Sequence, residues 1–158
     1  MRFQENFICE GFDPNTVDEE NFVIKGVRII NPHSENGREY LKEAIQDLHG
    51  LITDNAMSYI DHDKTGAERS IRDWSGWVSS PRIVEGRSIA GDYQYLKSEP
   101  QNAKIIESIK RGNRRVGFSI DAEGEVSNGQ VTKVTKLYSV DLVTRPATTS
   151  GSSTVSRS

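Results

Sequence analysis

The stretch Arg114-Arg115-Val116-Gly117-Phe118-Ser119-Ile120-Asp121 alternates with a period of two. Val116, Phe118 and Ile120 fall on one face of an extended strand, and Gly117, Ser119 and Asp121 on the other. A hydroxyl stands where a buried strand would carry a hydrophobe. Gly117, lacking a side chain, lets another backbone pass close to Ser119. Residues 3–10, 22–30, 56–63, 69–78, 88–96 and 130–143 also read as strands, with Gly26 a candidate bulge and Gly76 a bend. Two helices interrupt them. Arg38 to His49 carries Leu41, Ala44, Ile45 and Leu48 at helical spacing, with Gly50 as its stop. A second opens at Ser98-Glu99-Pro100-Gln101 with Ser98 as its cap, turns Ile105, Ile106 and Ile109 inward, and closes at Gly112. Asp13-Pro14-Asn15, Pro81 to Gly86, Glu123-Gly124-Glu125 and Ser127-Asn128-Gly129 read as turns or loops. Many strands and two isolated helices predict an α+β fold, mostly β: a closed or sandwich-like β-barrel with peripheral helices.

At 158 residues the chain is sized for one domain. Residues 1–147 form that domain, and the Ser/Thr-rich residues 148–158 read as a disordered tail, truncated or processed. A net charge of −3 gives no electrostatic footprint for nucleic acid or a membrane surface. Cys9 is the single cysteine, so no internal disulfide can form and a reducing compartment is expected. Beside Phe7 and Ile8 it reads as a buried strand thiol. No stretch is long and apolar enough to span a bilayer, and the first residues lack a signal-peptide core.

A serine needs an imidazole within hydrogen-bond reach, and a third group to hold that imidazole, before it becomes a nucleophile. Three histidines are available. His49 sits in a helix's last turn and His33 beside a proline in a loop; both read as structural. His62 ends a strand just before the turn Lys64-Thr65-Gly66, a position suited to a site. It shares a strand face with Ile60 and Ser58, while Asp61 and Asp63 point away. That divergence also argues against a metal held by Asp61-His62-Asp63. No histidine follows His62, so the third group should be an acid. Asp141, flanked by Val140 and Leu142, stands out, although it also fits an outward position on a half-exposed strand. Asp121, Glu123 and Glu125 follow the serine in what reads as a turn. The order His62, Ser119, Asp141 matches none of the chymotrypsin, subtilisin or α/β-hydrolase orders, and there is no G-x-S-x-G elbow.

Three segments, in this order, resemble the procapsid (prohead) maturation proteases of tailed phages, which share a fold with herpesvirus assemblins. Tyr59-Ile60-Asp61-His62-Asp63 is similar to the family's histidine strand. Ile105 to Ile120 is similar to its helix and serine strand, and Ser139 to Ala147 to its closing strand and Pro-Ala ending. The resemblance spans roughly residues 20–147. It implies a serine endopeptidase with Ser119 as nucleophile and His62 as general base. Assemblins carry a histidine as third member, where this chain offers Asp141. The oxyanion hole would lie around Thr144 and Arg145, with Gly117 also near the substrate; Arg145 equally fits a structural ion pair. The resemblance further implies scaffold protein and major capsid protein as substrates, self-processing, a homo-oligomer, no cofactor, and work inside the procapsid in the host bacterial cytoplasm. The alternative is a non-catalytic phage structural protein, a tail-tube or capsid component, on a similar β-barrel.

Overall fold

The structure is a computed structural model that describes residues 1–7, 13–53, 56–60, 73–112 and 116–144. Among these the chain forms nine strands and two α-helices in two sheets. The first sheet contains β1 (Arg2–Asn6), β4 (Glu39–Tyr40), β8 (Val116–Ser127) and β9 (Gln130–Thr144), in the order β1-β8-β9-β4. The second contains β2 (Val17–Asp18), β3 (Val23–Ile30), β5 (Met57–Tyr59), β6 (Trp74–Val84) and β7 (Ser88–Tyr95), in the order β2-β3-β7-β6-β5. A parallel bridge from Ile60 to Leu142 brings the end of β5 against β9. This is the expected mainly-β α+β fold. What was read as a closed or sandwich-like barrel is, among the described residues, two sheets meeting at that bridge.

One core fills the space between the sheets and under the helices. Phe118 of β8 meets Tyr93 of β7 edge-on at 5.3 Å, so the strand face opposite Ser119 packs on the second sheet. Helix α1 (Lys42–Ile52) buries Ala44, Ile45, Leu48 and Ile52, one stripe at helical spacing. Asp47 accepts a bond from Val134 N at 3.0 Å, tying α1 to β9. Helix α2 (Pro100–Lys110) buries Asn102, Ile106 and Ile109 and ends at Gly112, whose φ of +84° suits glycine.

The departures from the sequence reading have local causes. Helix α1 begins at Lys42, because residues 39–40 pair with β9, and it runs through Gly50 to Ile52, whose buried side chain outweighs the glycine. The cap of α2 is Glu99, whose carboxylate accepts from Gln101 N at 2.7 Å; Ser98 is not the cap. Pro81 to Val84 is strand: β6 passes Pro81 through an irregularity at Ser80, where φ is +50°. Gly26 is the expected bulge, with φ +66° and a register shift in the β3–β7 pairing.

The largest departure is in β8. Glu123-Gly124-Glu125 lies inside the strand, and the chain turns only at Asn128-Gly129. Both turn residues have positive φ, 52° and 76°, as a two-residue hairpin with right-twisted strands requires. Gly124 is needed for a different reason: a Cβ there would lie 2.1 Å from the Lys133 carbonyl oxygen. Replacing Gly124 with alanine must therefore push β9 off β8. Gly124→Ala is expected to lower unfolding free energy by on the order of 3 kcal/mol, read as a lower urea midpoint with an unchanged slope.

Candidate active site

Strands β8 and β9 are buried on both faces along their central rungs. On the face away from Phe118 the side chains are polar. Ser119 stands directly opposite Asp141, and on the next rung Asp121 stands opposite Ser139. Directly paired residues of antiparallel strands share a face with Cβ atoms about 5 Å apart. All four are buried, Ser119 and Asp141 completely.

Each group has partners. One Asp141 oxygen accepts the backbone N–H of Tyr59 at 3.2 Å, and the other accepts the Ser139 hydroxyl at 3.0 Å. The last residue of β5 thus bonds to the carboxylate, and Ile60 continues alongside Leu142. Asp121 is chelated by Arg2, Nε to one oxygen at 3.0 Å and Nη2 to the other at 2.8 Å. Ser119 Oγ donates to the backbone carbonyl of Glu5 at 2.8 Å, because β1 pairs with β8 and sets Asn6 opposite Ser119. The Glu5 carboxylate, itself fully buried, accepts from Arg38 at 3.0 Å and Asn36 at 2.7 Å. Removing a buried charge's partner is costly, so this cluster holds the Glu5 carbonyl in place.

A second buried polar chain runs from α2 towards Asp141. The Asn102 amide donates to the carbonyls of Ser75 (3.1 Å) and Leu96 (2.8 Å) and accepts from the Ser75 hydroxyl (3.0 Å). Ser75 bonds in turn to the Tyr93 hydroxyl. Burial pushes the Tyr93 hydroxyl up to about 12, partly offset by the neighbouring Ser58 and Ser75 hydroxyls and reinforced by the Asp141 charge.

Of the site residues read from the sequence, the structure brings Ser119 and Asp141 together on one face of one hairpin. Gly117 lies two residues before Ser119, opposite Val143. Thr144 ends the β9 backbone opposite Val116. His62 and Arg145 lie outside the described residues, as do Cys9 and the tail after residue 147. The sequence reading missed Ser139, the Arg2–Asp121 pair and the Glu5 carbonyl. Ser139 had a signal: with Asp141 it continues a polar period of two through Val140. Arg2 and Glu5 had none, because their partners are more than 110 residues away.

No family model matches this sequence, and no curated protein matches it. Among solved structures, the bacteriophage T4 capsid assembly protease gp21 superposes on this chain with a TM-score of 0.63. The superposition covers 92% of this chain and 98% of that one, at 16% sequence identity. This chain has the fold of a phage capsid assembly protease. Fold and chemistry are separate properties, and the chemistry open to the Ser119–Asp141 face depends on this chain's own residues.

The Tyr93 network makes a prediction about alkaline stability. Below pH 10 the Tyr93 hydroxyl is protonated in folded and unfolded chains alike, and its contribution is constant. Between about pH 10 and pH 12 the unfolded chain ionises while the folded one resists, so stability falls as pH rises, by about 3 kcal/mol. Urea denaturation across this range should show at least that fall, and Tyr93→Phe should remove about 3 kcal/mol of it, the rest staying with Tyr40, Tyr95 and Tyr138, whose hydroxyls are also raised.

Proposed function

We propose that this chain is a serine endopeptidase of the phage procapsid. In this reading Ser119 is the nucleophile, His62 the general base and Asp141 the group that orients the imidazole. The observation that carries it is the Ser119–Asp141 rung with β5 bonded to Asp141 through Tyr59 N. Ile60, two residues before His62 in the sequence, bridges to Leu142 beside Asp141.

The chemistry follows from these roles. A hydroxyl carries one proton, and Ser119 offers its own to the Glu5 carbonyl. Turning Oγ–H towards the imidazole lets His62 take that proton as Oγ bonds to the scissile carbonyl carbon. His62 then returns it to the leaving amine, water enters by the same base, and the acyl-enzyme is hydrolysed. Backbone N–H groups near Gly117, Thr144 and Arg145 are the candidate oxyanion donors. No cofactor enters this scheme. Scaffold protein, major capsid protein and the chain's own termini are the proposed substrates, met by a homo-oligomer. Confinement in a shell supplies effective concentration, so weak affinity suffices.

The rival reading is a non-catalytic phage structural protein on the same fold. One observation favours it: a fully buried serine bonded to a backbone carbonyl is also what a structural hydroxyl does. Intact mass separates the two. Wild-type chain and Ser119→Ala are incubated at high concentration, alone and with procapsid scaffold protein. Shortening of wild type or scaffold, absent with Ser119→Ala, supports the protease. Intact products throughout, or equal cleavage by both chains, support the structural reading. In the protease case Ser119→Ala should lower turnover by about six orders of magnitude, and Asp141→Asn by on the order of 10⁴.

A further inference from the structure

The site face of β8 and β9 carries a quartet rather than a pair. On one rung a hydroxyl on β8 faces a carboxylate on β9, Ser119 and Asp141; on the next a carboxylate on β8 faces a hydroxyl on β9, Asp121 and Ser139. All four residues are buried to 3% exposure or less. Ser139 therefore neighbours two carboxylates, Asp121 across the ladder and Asp141 two residues along its own strand. Its hydroxyl has one proton to give.

The structure shows where that proton goes and why. Arg2 reaches over from β1 and engages both oxygens of Asp121, at 3.0 and 2.8 Å. Such a two-bond pair is directional and satisfies the planar carboxylate. Arg2 is itself held over the Tyr138 ring at 3.9 Å, and the Tyr138 hydroxyl donates to Glu123 at 2.8 Å. With Asp121 chelated, the Ser139 hydroxyl donates to Asp141 at 3.0 Å. Tyr59 N holds the other Asp141 oxygen, so the carboxylate is gripped at both ends and its plane is set.

We propose that Ser139 is a positioning residue for Asp141, and that Arg2 directs the Ser139 proton to it by occupying Asp121. The proposal rests on the serine-protease reading above. It makes the N-terminal strand part of the site's support. It also separates the two buried acids by role: Asp141 faces the nucleophile, and Asp121 is neutralised by Arg2. Loss of the Ser139 hydroxyl would remove one of the bonds that set the plane of the Asp141 carboxylate, and the imidazole it orients would be held less precisely. That slows the chemical step and leaves substrate binding unchanged.

The test is the labelling of Ser119 in the full chain by an alkyl fluorophosphonate, followed by intact mass and peptide mapping. In this reaction Oγ bonds to phosphorus, fluoride leaves and the base takes the serine proton, so the limiting rate reads nucleophile activation. Ser139→Ala should lower the limiting rate about 10- to 100-fold with the probe's half-saturation concentration unchanged. Ser139→Thr, which keeps the hydroxyl, should restore most of it. Arg2→Ala should cause a smaller loss, and adding it to Ser139→Ala should lower the rate no further, because both act through one hydrogen bond. If thermal melting shows that Ser139→Ala does not fold, Ser139→Cys, similar in shape and a weaker donor, takes its place with the same expected direction. A wild-type rate in the Ser139 variant, or losses that multiply in the double variant, overturns the positioning role and leaves the protease reading intact. Failure of the wild-type chain to label at Ser119 overturns the protease reading, and this role with it.

Discussion

Everything at the candidate site depends on the register between β8 and β9. The Asn128-Gly129 turn starts the ladder with Ser127 opposite Gln130. Continued without interruption, that register would set Ser119 against Tyr138. It does not continue. Thr132, Thr135 and Tyr138 are each skipped by the pairing, so β9 carries three extra residues, one at every third position. Each such bulge sets two residues against one and advances the register by one. Two of the bulges are pinned by the skipped residues themselves. The Thr132 hydroxyl donates to the Glu125 carbonyl at 3.3 Å and the Thr135 hydroxyl to the Glu123 carbonyl at 3.1 Å. The result is that Asp141 and not Tyr138 faces Ser119. Gly124, between the first and second bulges, permits the close strand approach that this requires.

A second constraint is burial on both faces. An ordinary two-sheet protein leaves one face of an antiparallel sheet polar because it meets water. Here the polar face of β8 and β9 is also covered, and each buried hydroxyl and carboxylate must find a partner or incur a desolvation cost. The partners come from far away: Tyr59 N from β5, Arg2 and the Glu5 carbonyl from β1. Glu5 is in turn held by Arg38 and Asn36 in the connection before α1. The N-terminal strand is thus a support for the site as well as an edge of the sheet. A polar face satisfied in this way is rigid, which suits the imidazole-orienting role proposed for Asp141.

Several features were legible because their causes are local. The apolar alternation of Val116, Phe118 and Ile120 named the strand, and its opposite face named Ser119. Asn128-Gly129 named the hairpin turn, and the isoleucines of α2 named that helix. Asp141 was conspicuous as an acid between two aliphatic residues. Misreadings arose where a local signal had a non-local meaning. Gly124 looked like a turn residue but is the thin point of a ladder, so the strand of Ser119 continues past Asp121 as far as Ser127. Gly50 looked like a helix stop, yet the burial of Ile52 carries α1 beyond it. Pro81 looked like loop, yet it lies within β6, where its carbonyl accepts from His49 Nε2 at 3.0 Å and the strand's irregularity accommodates the proline.

The sequence by itself determined that residues 22–30, 88–96, 116–121 and 130–143 are strands, that Val116, Phe118 and Ile120 share an apolar face, where the last hairpin turns, and that a serine and an aspartate lie within its two arms. These follow from side-chain period and turn chemistry, which act over a few residues. The tertiary structure alone decided that Asp141 is the acid opposite Ser119, that Ser139 bonds to it, and that Arg2 occupies Asp121. Those outcomes depend on register accumulated through three bulges and on pairing with a strand more than 110 residues away. No short-range pattern encodes either, because register and long-range pairing are settled only when the whole core is packed.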